Sequence, residues 1–313
     1  MNTPAATKLK RTTPRLVPDF KKWYNNLLAA AFLAPYMTFF LIFSIIPIFY
    51  GLFVSFHKWT LVGKDSFVGF ENYIYALNDK DFWASLWHTT YFVLLSTPAL
   101  VLVSFSLSLI LDSSIKGRTF LRTIFFMPNI LSVAVISYIW IFVLQPYSGL
   151  LNSILKKFGL LGPEGEIFWL ADPNLAWVSI VIITVWWTQG FNMIIFLAGL
   201  QGIPQEHYEA ATIDGANVWN RLFYITLPAM RGLLVLIAVL TTIASFKVFG
   251  QVWLVTRGGP ANETRTMIQY IYETGFSANE LGLATAMSFI FFVMLVVLAI
   301  LQFKFFNGKE EVA

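Results

Sequence analysis

Six stretches of uncharged or nearly uncharged, apolar residues, each long enough to cross a bilayer, dominate this chain of 313 residues. They lie near 27–53, 90–111, 124–143, 177–198, 233–255 and 282–303. Crossing about 30 Å of hydrocarbon takes roughly 20 residues as a helix, and helices satisfy their backbone polar groups internally where no water can. The expectation is an all-α integral membrane protein with six transmembrane helices. A large soluble protein with buried helices is the competing class, but six such runs leave little chain to build a wet exterior. Charged residues make up 12% of the sequence, about half the roughly 25% of a soluble domain.

Orientation follows from Lys and Arg, which are retained on the cytoplasmic side. Lys8, Lys10, Arg11, Arg15, Lys21 and Lys22 precede the first run; Lys116, Arg118 and Arg122 follow the second; Arg221 and Arg231 follow the fourth; Lys304 and Lys309 end the chain. These thirteen face seven in the three opposite segments, 54–89, 144–176 and 256–281, which hold ten of the seventeen carboxylates. Both termini are therefore predicted to be cytoplasmic, with a tail at 1–26, a first membrane helix at 27–56, a core of five further helices at 86–304 and a second tail at 305–313. The apolar run behind the basic tail far exceeds the 7 to 15 residues of a cleavable signal, so it reads as a retained helix. Within the outer segments, 149–158 is predicted as a short amphipathic helix and Gly258-Gly259-Pro260 as a tight turn.

Several chemistries are excluded by what is missing. With no cysteine there are no disulfides, thiol nucleophiles or thiolate metal sites. His57, His88 and His207 have no catalytic or metal-ligating spacing. No GxxxxGK[ST] phosphate loop occurs, so the chain is not its own ATPase. Basic residues are not interleaved with stacking aromatics, which argues against nucleic acid. No Asp, Glu or His lies well inside a run, against a proton-coupled carrier; a sodium site built from backbone carbonyls stays open. Lys247, in the fifth run, is read as a structural residue that snorkels or pairs with a carbonyl.

The segment between the fourth and fifth runs, 201–231, has its own design. Pro204 suits a first helical position, Glu206 and Glu209 suit the positive helix start, and Gly215 suits the left-handed residue that ends a helix. After Asp214-Gly215 a second short helix is predicted to carry Val218, Trp219, Leu222, Phe223 and Ile225, broken or kinked at Pro228. Together these form a helix-turn-helix bracket.

The bracket resembles the signature of binding-protein-dependent ABC importer permeases. Glu209-Ala210-Ala211, three residues, Gly215, nine residues and Ile225-Thr226-Leu227-Pro228 match it throughout. Phe67-Val68-Gly69-Phe70-Glu71-Asn72-Tyr73, Arg122-Thr123-Ile124-Phe125-Phe126-Met127-Pro128, Gly149-Leu150-Leu151-Asn152 and Gly258-Gly259-Pro260-Ala261-Asn262 extend the resemblance to the carbohydrate-uptake, maltose-type members. Gly250 departs from it, since many relatives place Asp there. The resemblance implies a type I ABC importer permease fold in a bacterial plasma membrane. It implies as partners a second permease of similar fold, two cytoplasmic ATPases, an external solute-binding protein and a sugar. ATP and Mg would bind the ATPases, and no cofactor would bind this chain. Glu209, Ala210, Ala211, Asp214, Gly215, Ile225, Leu227 and Pro228 are the expected ATPase-coupling residues.

A sugar site is expected at the bilayer midplane. Thr184, Trp187, Thr188 and Phe191 fall at i, i+3, i+4 and i+7 on one helical stripe, and Thr241 and Ser245 lie one turn apart in the fifth run. Hydroxyls and aromatic faces together suit a sugar, although Thr and Ser also serve as packing residues between membrane helices. A glycerol phosphate or polyol is the alternative cargo within the same importer class.

Overall fold

The computed structural model describes residues 20–307. Lys8, Lys10, Arg11, Arg15 and Lys309 of the basic face lie outside the described residues. Two units are distinguished, dividing after Phe53. The first consists of α1 (Phe20–Phe40), a π turn (Leu41–Ile45) and most of α2 (Ile46–Ser55). Helix α1 thus starts within the predicted tail, and the apolar span itself begins at Asn26. Phe32, Leu33, Phe39, Phe43 and Phe49 point outward on different sides. A helix that is apolar all round suits lipid. The π turn ends two residues before Pro47, whose missing N–H and bulky ring disturb the regular ladder.

In the second unit, β1 (His57–Thr60) and β2 (Gly63–Phe67) form an antiparallel hairpin, a small addition to an otherwise helical chain. Helix α3 (Glu71–Asn78) leads to α4 (Lys80–Asp112), α5 (Arg118–Phe126) and, after a 3₁₀ turn (Met127–Ile130), α6 (Val133–Val143). Then come α7 (Leu150–Lys157), which fills the predicted amphipathic segment, α8 (Pro173–Gln201), α9 (Gln205–Ile213) and α10 (Val218–Arg221). A π turn (Leu222–Thr226) joins α10 to α11 (Leu227–Phe246), followed by α12 (Gly250–Val255), α13 (Met267–Tyr272) and α14 (Leu281–Asn307). Among the described residues five helical spans are long and apolar enough to cross a membrane, and a bent pair supplies a sixth.

Packing of α4 on α8 organises this unit. Helix α4 is capped by Asp79, whose side chain accepts from the Asp81 amide at 3.0 Å. At 33 residues it is about 50 Å long, well beyond the hydrocarbon core. Ser85, Thr89, Ser96, Ser104 and Ser108 are buried along it. Small polar side chains let membrane helices approach and bond across the gap; Ser104 Oγ donates to the Gln189 carbonyl at 3.0 Å. Gly190 makes another close approach possible, because a Cβ there would lie 2.5 Å from the Phe125 carbonyl oxygen.

Two predicted spans take a different form. The 124–143 run is not one straight helix: 118–130 and 133–143 meet at a 102° bend. Pro128 limits the first helix, Leu131 and Ser132 are extended, and the Ser132 hydroxyl caps α6 by accepting from Val135 at 3.4 Å. Hydropathy averages across such a corner, because it weighs side chains and not backbone donors. The fifth span also shifts. Helical backbone runs unbroken from Val218 to Phe246 and then stops, so Pro228 does not break the chain and Lys247 caps a helix end. The π turn ahead of Pro228 places the adjustment one turn earlier.

Arg265 ties the loop before α13 to the start of α4. Its guanidinium lies 3.1 Å from Asp81 and 3.8 Å from Glu273, over the Tyr270 ring. The Tyr270 hydroxyl donates to Asp79. Burial first, then that bond and the charge of Asp79, push its pKa above the ordinary phenol range, so it remains a donor. The Met267 amide donates to Thr89 Oγ1 at 2.8 Å, completing the attachment.

Candidate functional site

A cavity of about 440 Å³ is walled by α4, the 3₁₀ turn, α8, α11 and α12, within the usual range of small-molecule sites. Thr184, Trp187, Thr188, Phe191, Thr241 and Ser245 all line it. The structure therefore brings the α8 stripe and the α11 pair to one space. Asn129, Asn192, Lys247 and Gln251 join them and were not picked out from sequence as site residues. Asn192 lies one turn beyond Thr188, so continuing the stripe would have found it. Asn129 and Gln251 come from the bend after Pro128 and from the short helix after the break, two corners that hydropathy does not reveal.

The polar groups are arranged before any ligand arrives. Trp187 Nε1 donates to the Leu131 carbonyl at 3.2 Å, fixing the indole plane. Thr184 and Thr188 donate to carbonyls one turn back, each at 2.7 Å, so their oxygens remain acceptors. Gln251 Nε2 contacts Thr184 Oγ1 at 3.4 Å, Asn192 Nδ2 donates to Thr241 Oγ1 at 3.1 Å, and Ser96 donates to Ser245 at 3.2 Å. The amides of Asn192 and Gln251 keep further donor and acceptor capacity. Phe191, Leu240, Ala244 and Lys247 are exposed, which leaves that side of the cavity open. Such a wall offers hydroxyls, amides and aromatic faces but no nucleophile with an adjacent base.

The bracket forms a second constellation. Pro204 precedes α9 as its cap and is not the first helical residue. At the other end Gly215 has φ +76°, with the Gly215 and Ala216 amides donating back to Thr212 and Ala211 at 3.1 and 2.8 Å. This is the hydrogen-bonded left-handed helix stop. Asn217 then caps α10, accepting from the Asn220 amide at 2.8 Å. Tyr208 and Thr226 hydroxyls, 2.9 Å apart, tie α9 to the π turn, a crosslink the motif alone does not suggest. Glu209, Ala210, Asp214 and Pro228 are exposed, while Ala211, Ile225 and Leu227 are half-buried. Beside them stand exposed apolar side chains: Ile213 at 87%, Trp219 at 66% and Tyr224 at 80%, with Trp219 stacked on Phe223.

Residues 73–307 match the family described as binding-protein-dependent transport system inner membrane component. The chain belongs to this family. The match covers both the cavity and the bracket, and it makes the protein a membrane-embedded permease, not an enzyme. The permease is 33% identical to the trehalose/maltose transport system permease protein MalF of Thermococcus litoralis, over 90% of this chain and 95% of that one. It is 30% identical to the probable starch degradation products transport system permease protein AmyD of Thermoanaerobacterium thermosulfurigenes, over 93% and 98%. With the sn-glycerol-3-phosphate transport system permease protein UgpA of Agrobacterium fabrum it shares 33%, over 91% and 96%. Its fold matches a chain in the crystal structure of a bacterial ABC transporter involved in the import of the acidic polysaccharide alginate, with TM-score 0.80, 24% identity and coverage of 93% and 99%.

Proposed function

We propose that this permease is the membrane subunit of an ATP-driven, binding-protein-dependent importer that carries a sugar or oligosaccharide through the cavity between α8 and α11. The observation that carries the reading is the wall itself: an indole held in a fixed plane beside Thr184, Thr188, Asn192, Thr241 and Ser245. Sugar rings stack on aromatic faces through their C–H bonds, while their hydroxyls need partners that both donate and accept hydrogen bonds. An external binding protein delivers the sugar, a second permease of similar fold completes the pathway, and two cytoplasmic ATPases drive it. The bracket is the ATPase dock. Its two helices are joined by the Gly215 turn and the Tyr208–Thr226 bond, so they move as one lever when the nucleotide domains close.

Reconstitution tests this reading. Proteoliposomes holding the complete importer should take up a sugar or oligosaccharide, from a panel of neutral and acidic ones, only with ATP and the binding protein. Uptake by this chain alone, driven by a sodium or proton gradient, would instead identify a secondary transporter.

In the proposed topology both termini, the α4–α5 loop and the bracket are cytoplasmic. The chain contains no cysteine, so single cysteines report position cleanly. Replacing Arg118 or Asn217 by Cys should give a thiol that an impermeant maleimide reaches only after spheroplasts are opened. Labelling of intact spheroplasts at either position would reverse the topology.

A further inference from the structure

Building on the proposal that the cavity holds the cargo, we infer that the cargo is an anionic saccharide whose acidic group is held by Lys247. Among the described residues lining the cavity, Lys247 alone is charged. No carboxylate lines it, and Lys247 takes part in none of the ion pairs among the described residues. The backbone explains its position. Helix α11 ends at Phe246, the Lys247 amide returns to the Ala244 carbonyl at 3.1 Å, and Phe249 leaves helical geometry at φ −148°, ψ −62°. Lys247 is thereby placed at a break in the span, between Ser245 and Val248, which also line the cavity. Residue 250, three positions on and beyond the break, supplies no counter-ion. It is glycine, packed so that a Cβ would lie 3.1 Å from Val133 Cγ2.

An ammonium within a membrane protein is costly unless it is hydrated or paired. When the cavity is empty, water entering from its open side meets that need. When a ligand displaces the water, a neutral sugar leaves the charge without a partner, whereas a carboxylate, sulfonate or phosphate on the sugar supplies one. Lys presents a compact point charge with three donors, while the Asn129, Asn192 and Gln251 amides are available to sugar hydroxyls. The same wall therefore accepts the ring and selects the charge.

The test is uptake by the complete importer in proteoliposomes of a panel with matched charged and neutral members: trigalacturonate and galactotriose, glucose 6-phosphate and glucose, and sulfoquinovose and glucose. The wild type should transport at least one anionic member in preference to its neutral match. Lys247→Met should raise the KM for that member about tenfold or more, as expected on losing a charge-assisted contact. Lys247→Arg should restore most of the loss, and added salt should weaken wild-type uptake more than Lys247→Met uptake. Uptake of neutral members only, or equal effects of Lys247→Met on charged and neutral cargo, would overturn the inference while leaving the cavity as a sugar site. No saccharide uptake at all, with the complex assembled, would overturn the underlying reading as well.

Discussion

Gly215→Val, in the bracket, is expected to abolish ATP-driven uptake, because the ATPases should no longer stay bound to the permease. Gly215 sits at φ +76° with no atom within 4 Å of where a Cβ would be. The penalty therefore comes from backbone strain, not from a clash. Left-handed geometry costs about 1–2 kcal/mol for an ordinary side chain and is more unfavourable still for a β-branched one. The chain can relieve it by opening the turn, at the expense of the Ala216–Ala211 and Gly215–Thr212 bonds. Opening the turn tilts α9 away from α10 and spoils a surface made by both. Glu209→Arg should act on the same surface by charge, since Glu209 is exposed and its reversal brings no strain. Co-purification of the ATPase with each variant, and hydrolysis stimulated by the loaded binding protein, provide the measurements. Gly215→Ala should lie between wild type and Gly215→Val. Normal ATPase recovery and normal stimulated hydrolysis in both Gly215→Val and Glu209→Arg would remove the docking role.

Trp187→Ala should slow uptake about tenfold or more with unchanged recovery of the assembled complex. Losing about 50 Å² of apolar contact at about 25 cal/mol per Å² amounts to about 1.3 kcal/mol, close to a factor of ten. The effect should exceed this area term, because the indole is held in plane by the Leu131 carbonyl, so its stacking surface is already oriented. Thr188→Val keeps the shape and removes one hydroxyl, whose hydrogen bond is worth about 1 kcal/mol, or roughly fivefold in uptake. The two losses arise from separate contacts to one ligand and should combine in the double variant. Initial rates at several sugar concentrations, together with the yield of intact complex, check both. Unchanged uptake in both single variants, or uptake lost only in step with assembly, would assign these residues to helix packing.

Much of this architecture was legible in the chain itself. Six apolar runs, the absence of carboxylates within them and the Gly215 helix stop are local properties. A lipid environment asks each helix for about 20 apolar residues whatever its neighbours are, and left-handed geometry asks for glycine wherever it occurs. The α8 stripe belongs to the same class, because a 3.6-residue period places Thr184, Trp187, Thr188 and Phe191 on one side without reference to the rest of the fold.

What only the tertiary structure decided is where those faces meet. Leu131 and Ser132 turn the third span through a corner, next to the 3₁₀ turn that delivers Asn129 to the cavity, and the end of α11 at Phe246 does the same for Lys247 and Gln251. Lys247 reads in sequence as a residue reaching for the membrane surface; at a helix end between Ser245 and Val248 it lines the cavity instead. Hydropathy sums side chains along the chain, whereas a site is made by convergence of positions as distant as Phe92 and Gln251. Which faces converge depends on close approaches such as Gly190 against the Phe125 carbonyl and Ser104 on Gln189, and these are properties of two helices at once.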